Sequence, residues 1–308
     1  MFLNFEDLLT TKTKAYLAWV TICIIWGTTY LVIRIGVQEM PPFLFSGFRW
    51  LIAGPIFLVF LKLRGVPLPT KKDLLPIAIT GVLLIGLGNG LITFGEQWIP
   101  SGLTALLVTT VPMIIVLSET LILKKVPFNK TILFGALIGF GGILLIFGNN
   151  FALLFETEYL FGIIAIYAGV ISWASGTLYS KHKKQSNVKI NPLANAATQM
   201  VIGGIFQVIV GLSIGEAERF EFTENGVFAF IYLAIFGSFI AYGSYIYAIE
   251  HLPISFVTTY AYINPVIALF AGWFVLDEIL SFEIILAAII ILFGVWLIKR
   301  GNRKNSNL

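Results

Sequence analysis

Charge is scarce in this chain. Only 12% of its residues are Asp, Glu, Lys or Arg, about half the share in an ordinary soluble domain. With 58% hydrophobic residues beside it, that scarcity excludes a water-soluble globular protein. Cysteine is nearly absent, and the one residue, Cys23, excludes an intrachain disulfide framework. There are two histidines, His182 and His251, and both fall in expected connections, so a histidine relay at mid-membrane is excluded. The sequence has no HExxH string, no mid-membrane pair of acids and no ATP-binding motif. Gly211–Gly215 matches the G-x-S-x-G pattern, but it ends an apolar helix instead of joining a strand to a helix. A membrane-embedded enzyme is therefore only a remote alternative, and no cofactor or metal is expected.

Long apolar runs are abundant. A bilayer core needs about 20 apolar residues per helix, and ten windows qualify. The first five are Ala15–Ile33, Phe43–Leu61, Leu74–Gly95, Leu103–Leu123 and Thr131–Asn149. The second five are Tyr159–Ser180, Leu193–Ile214, Val227–Ile249, Ile254–Leu276 and Phe282–Ile298. Backbone groups in lipid must pair within each helix, so the fold class is an all-α polytopic membrane protein. The first span lacks a small-residue cleavage pattern, so a removable signal peptide is not expected. With the N-terminus placed in the cytoplasm, 17 of the 20 basic residues fall in inner segments. Arg34, Arg49 and Arg219 are the three left outside. This bias predicts a multi-pass protein of the cytoplasmic membrane with both termini inside. It also makes the basic clusters topology signals, with no nucleic-acid partner.

The two sets of five repeat one another. Pro42, Arg49 and Gly54 recur at the same offsets as Pro192, Gln199 and Gly204. Pro112 precedes Lys124-Lys125 by the interval that separates Pro265 from Asp277-Glu278. The third and eighth spans end at Glu96 and Glu250. Five is odd, so the second copy enters from the other side, and its loop charges swap sign accordingly. The expected organisation is an inner segment 1–14, a first repeat 15–149, a second repeat 159–298 and a basic inner tail 299–308. Inverted repeats of this kind place a site near the midplane at their interface.

These features, with Trp26-Gly27-Thr28, the Pro41–Arg49 stretch and Asn264-Pro265-Val266, resemble the EamA-type drug/metabolite transporter superfamily. The resemblance spans about Ala15 to Ile298. It implies a ten-helix bundle whose cavity is lined by spans one, three, four, six, eight and nine, and a role in exporting amino acids and related metabolites. Lys124-Lys125 departs from it, because many members carry Gly-Glu there.

Several residues inside the spans are candidates for function. Pro112 and Pro265 each remove a backbone donor and free a carbonyl about one turn earlier, which predicts hinges. Asn264 supplies an amide at that depth. Trp26, Trp173, Tyr242, Tyr245 and Tyr262 lie away from the headgroup depth where aromatic belts gather, and suit an amphipathic ligand. Asn89 and Thr93, one turn apart, add a polar stripe. Arg49 lies ~9 Å from the outer end of its span, as a substrate or gate partner or as an outward-snorkelling anchor. Glu119 lies near the inner end, with Lys124 and Lys125 nearby. Gly135–Gly139 and Gly203-Gly204 offer close helix packing, with a homodimer as the alternative use. With no charge deep in the cavity spans, the expected cargo is a small neutral or zwitterionic metabolite. Drug efflux and metabolite uptake are the alternatives to its export.

Overall fold

The computed structural model describes residues 10–125, 127, 129–148, 156–182, 191–252 and 254–306. Every regular element among them is helical. Among the described residues, eight helices are long and apolar enough to cross a membrane. They are α1 (Thr11–Glu39), α2 (Pro42–Leu63), α3 (Leu74–Gly95), α4 (Ser101–Ile122), α6 (Thr157–His182), α7 (Pro192–Ser213), α8 (Glu224–His251) and α10 (Phe282–Ser306). Two others, α5 (Lys130–Gly148) and α9 (Ile254–Val257 continued by Tyr260–Leu276), are apolar with shorter windows.

The expected boundaries shift at several places. α1 runs to Glu39, so Arg34 belongs to a helix and not to a loop. Residues 299–306, the described part of the basic tail, continue α10 as helix. Lys183, Lys184, Lys189 and the start of the inner segment, residues 1–9, lie outside the described residues.

The outer surface is apolar, and polar side chains are buried among the apolar core. Phe134, Leu137, Phe140 and Leu144 on α5 are all more than half exposed. Inside are Ser46, Arg49, Thr93, Glu96, Thr109, Thr110, Gln207 and Asn264.

Helices pair chiefly across the two halves: α5 with α10, α2 with α7, α1 with α8 and α9, α3 with α6, and α4 with α9. Glycines set how closely they approach. Gly47 faces Val208 and Gly54 faces Val201, so α2 and α7 run antiparallel. Gly135 faces Ile298 and Gly142 faces Ile291, so α5 and α10 are antiparallel too. Gly203 meets Ile85 of α3 and Gly204 meets Trp50 of α2. All these glycine surfaces are thus occupied within the chain. A Cβ on Gly294 would sit 2.5 Å from the Gly139 nitrogen and 2.7 Å from the Gly135 oxygen. Backbone cannot move aside as a rotamer does, so Gly294→Ala is expected to cost about 1–3 kcal/mol. Gly141→Ala, which enters open space, is the control, and thermal unfolding in lipid checks both.

Two long helices change winding at their middles. Val82–Asn89 in α3 and Leu233–Ile240 in α8 are π-helical, a form that concentrates at functional sites. Neighbouring helices satisfy the carbonyls this exposes. Ser172 of α6 donates to Leu83 O (2.8 Å), and Gln207 of α7 donates to Ile85 O (2.6 Å). In α8, Gly237 O accepts from the Trp26 indole at 3.1 Å.

Candidate functional site

The first node of the site is polar. Asn89 closes the π-helical run of α3, and its Oδ1 accepts three hydrogen bonds from α2. The donors are Ser46 Oγ (2.9 Å), Arg49 Nη2 (3.1 Å) and Trp50 Nε1 (2.9 Å). The Arg49 guanidinium also stacks 4.3 Å from the Trp50 ring centre. Arg49 is only 4% exposed, so the snorkelling alternative is corrected: the side chain turns inward, because Asn89 and the Trp50 ring offer partners there. Trp173 of α6 packs on Gly88, beside Asn89.

Thr93 and Glu96 extend the same face of α3 at i+4 and i+7 from Asn89. Both are completely buried. Among the described residues, neither the Thr93 hydroxyl nor either Glu96 carboxyl oxygen has a hydrogen-bond partner, and the same holds for Arg49 Nε. Arg34 of α1 donates to the main-chain carbonyl of Glu96, not to its carboxylate. Glu96 lies just beyond the last residue of α3. Burial pushes its carboxyl well above the usual range, Arg34 and Arg49 pull it down, and Glu278 adds an upward push. Glu250, its counterpart in the second repeat, is exposed, so the equivalence stops at the sequence.

The second node is aromatic. The Trp26 ring lies 4.9 Å from Tyr260, 5.5 Å from Tyr245 and 6.1 Å from Tyr242. These four rings, from α1, α8 and α9, are half-buried and leave part of their surface uncovered. Tyr262 stands apart, beneath the Lys299 ammonium of α10 at 5.3 Å. Asn264 adjoins the aromatic node. With its amide nitrogen turned toward them, it donates to the carbonyls of Tyr260 (3.0 Å) and Cys23 (3.3 Å), joining α9 to α1.

The prolines act differently in the two halves. In α4 the helix breaks at Thr109-Thr110 and resumes at Val111, one residue before Pro112. The two threonine hydroxyls donate to Ala105 O and Leu107 O. In α9, Pro265 lies within a continuous helix, and the break falls earlier, at Thr258-Thr259. The break there precedes the proline by more than a turn. Asn264 and Thr259 serve the neighbouring carbonyls.

Carboxylates clamp one end of the bundle, the end where α1 finishes and α2 begins (hereafter the far end). Glu278 accepts from Ser101 N (2.7 Å), Gly102 N (3.1 Å) and Ser101 Oγ (3.0 Å), capping α4. Glu216 accepts from Leu44 N (2.8 Å) and Phe43 N (3.2 Å), capping α2. Burial raises the Glu216 carboxyl from its ordinary value, against the pull of those two amides. Both acids meet the positive end of a helix dipole. At the near end Glu119 is buried and pairs with Lys181 (2.6 Å) and His182 (2.9 Å) of α6. The lysines beyond its own helix, expected as its partners, do not fill that role.

Apolar helices with bare apolar outer faces and buried polar nodes define a multi-pass membrane protein. The model of the EamA-like transporter family matches residues 13–148 and again 160–300, and the chain belongs to that family. It is 38% identical over 280 residues to the uncharacterized inner membrane transporter YedA of Escherichia coli strain K12, covering 90% of this chain and 88% of that one. It is 29% identical to the uncharacterized transporter YoaV of Bacillus subtilis strain 168, over 92% of this chain and 96% of that one. A solved structure, described as a crystal structure of protein, superposes with a TM-score of 0.64 at 18% identity, over 95% of this chain and 99% of that one. That likeness concerns the fold alone.

Proposed function

We propose that this transporter is a secondary carrier that exports small neutral or zwitterionic metabolites, amino-acid-like in character, across the cytoplasmic membrane. It works by alternating access between two inverted five-helix repeats, with both chain termini in the cytoplasm and the far end outside. The observation that carries this reading is the placement of the two nodes. Half-bare aromatic rings lie between α1 of the first half and α8 and α9 of the second, and a buried amide–guanidinium cluster joins α2 to α3 inside the bundle. Aromatic faces take apolar surface, while the amide and guanidinium orient a polar group. Antiparallel pairing of α2 with α7 and of α5 with α10 supports the inverted relation, and the basic residues of the near-end segments support the orientation.

Mass-spectrometric profiling of medium from cells expressing the chain, against an empty vector, tests export and names the cargo class. Enrichment of one compound class outside supports it, while depletion from the medium favours uptake. Trp26→Ala removes a ring that touches three tyrosines and donates to Gly237 O. Flux is expected to fall about tenfold or more, with membrane insertion retained. Undiminished flux would take Trp26 out of the site.

A further inference from the structure

Three contacts hold the far end of the bundle together in this structure. Glu278 holds the start of α4, Glu216 holds the start of α2, and Arg34 ties α1 to the end of α3. Glu96 lies among these contacts, in the connection from α3 to α4, and none of them uses its carboxyl group. An ionised carboxylate with no donor on either oxygen is among the costliest things to bury, and a neutral acid is far cheaper. We infer that Glu96 is a proton-binding site, which holds a proton while the far end is shut and releases it to water when that end opens. This rests on the alternating-access reading above.

The groups around Glu96 supply the coupling. Facing it are Tyr30 and Arg34 from α1, Arg49 from α2, and Glu278 from beyond α9. Among the described residues no cation lies within ion-pair distance of its oxygens. Arg34 is engaged with the Glu96 main-chain carbonyl, and Arg49 with Asn89. Each guanidinium is thus held beside the carboxyl group while bonded elsewhere. When the O–H bond breaks and the proton leaves, the new carboxylate draws one of them over. That move takes Arg49 off Asn89, loosening α2 on α3, or takes Arg34 off the end of α3. The new negative charge also stands near Glu278 and weakens its hold on α4. Proton release and opening therefore favour each other, and the linkage is reciprocal. The shut state binds the proton more tightly, so low pH favours closure and rising pH favours opening.

The test uses the full chain in lipid nanodiscs with Cys23→Ala, and spin labels on Glu218→Cys and Ile279→Cys. Both labelled positions are exposed and neighbour the two clamps. Interlabel distances are read across a pH series with the proton as the sole ligand, so no cargo is required. The wild-type carboxyl should give a short distance at low pH and a longer one at high pH. The ratio of the two populations should change by up to about tenfold per pH unit, as one proton allows. Glu96→Gln should stay short throughout. Glu96→Asp, an acid that keeps the site chemically intact if the glutamine variant fails to fold, should retain the transition with a moved midpoint. A glutamine variant that titrates like the parent overturns the inference. So do two populations whose ratio ignores pH, an outcome that leaves the carrier reading standing. A single distance at every pH removes support from both.

Discussion

Asn89→Leu is expected to lower stability by roughly 3–5 kcal/mol, the range for stranding a buried charge that has lost its partner. Leucine keeps the branched outline and the heavy-atom number of the side chain, so the lost hydrogen bonds are the larger cause. One amide oxygen serves Ser46, Arg49 and Trp50 together, and with leucine in its place none of those three bonds survives. Arg49 suffers most, because it is 4% exposed and its Nε already lacks a partner. Unfolding in lipid or bicelles by heat or denaturant measures the loss. The double variant Asn89→Leu with Arg49→Leu is expected to recover part of it, since the stranded charge is then gone. A double variant less stable than Asn89→Leu alone would assign the cost to helix packing.

Glu278→Ala is expected to cost about 2–4 kcal/mol and to loosen the far end. The carboxylate accepts two main-chain amides and a hydroxyl at the start of α4, which combines charge-assisted hydrogen bonds with a favourable helix dipole. The second repeat leaves room for it at Gly272, where a Cβ would fall on the Glu278 carboxylate and 2.7 Å from Ser101 Oγ. Gly272→Ala is therefore expected to produce a similar loss without touching the acid. Unfolding midpoints of the two variants and of their combination provide the check. A combined effect equal to either one alone identifies a single clamp, while simple additivity would contradict the assignment.

The apolar windows made the helical architecture legible, because a bilayer leaves the backbone no alternative. The stripe of Asn89 and Thr93, the inward value of Arg49 and the ring group of Trp26, Tyr242 and Tyr245 were readable as isolated polar or aromatic residues in apolar runs. Glu96 was not singled out, because it falls one residue past its window. Its i+7 spacing from Asn89 was the available signal. Ser46, Trp50 and Tyr260 were missed because their importance comes from partners on other helices. The clamps made by Glu216 and Glu278 join residues more than 170 positions apart, beyond any local pattern. The π-helical runs were equally hidden, since side chains from α1, α6 and α7 satisfy their carbonyls. The helix break at Thr258-Thr259 was hidden as well, because proline specifies which donor is missing but not where the helix yields.

Lys124 and Asp277 occupy equivalent positions in the two halves and share an unusual left-handed backbone, with φ of 51° and 52°. Side chains of opposite sign thus ride on one inherited turn. Duplication has kept the shape of that turn while its electrical character reversed, so conformation there outlasts charge. The two residues can be exchanged as a pair without asking either turn for a new φ, so the exchange would change the charge at each turn while leaving its backbone as it is.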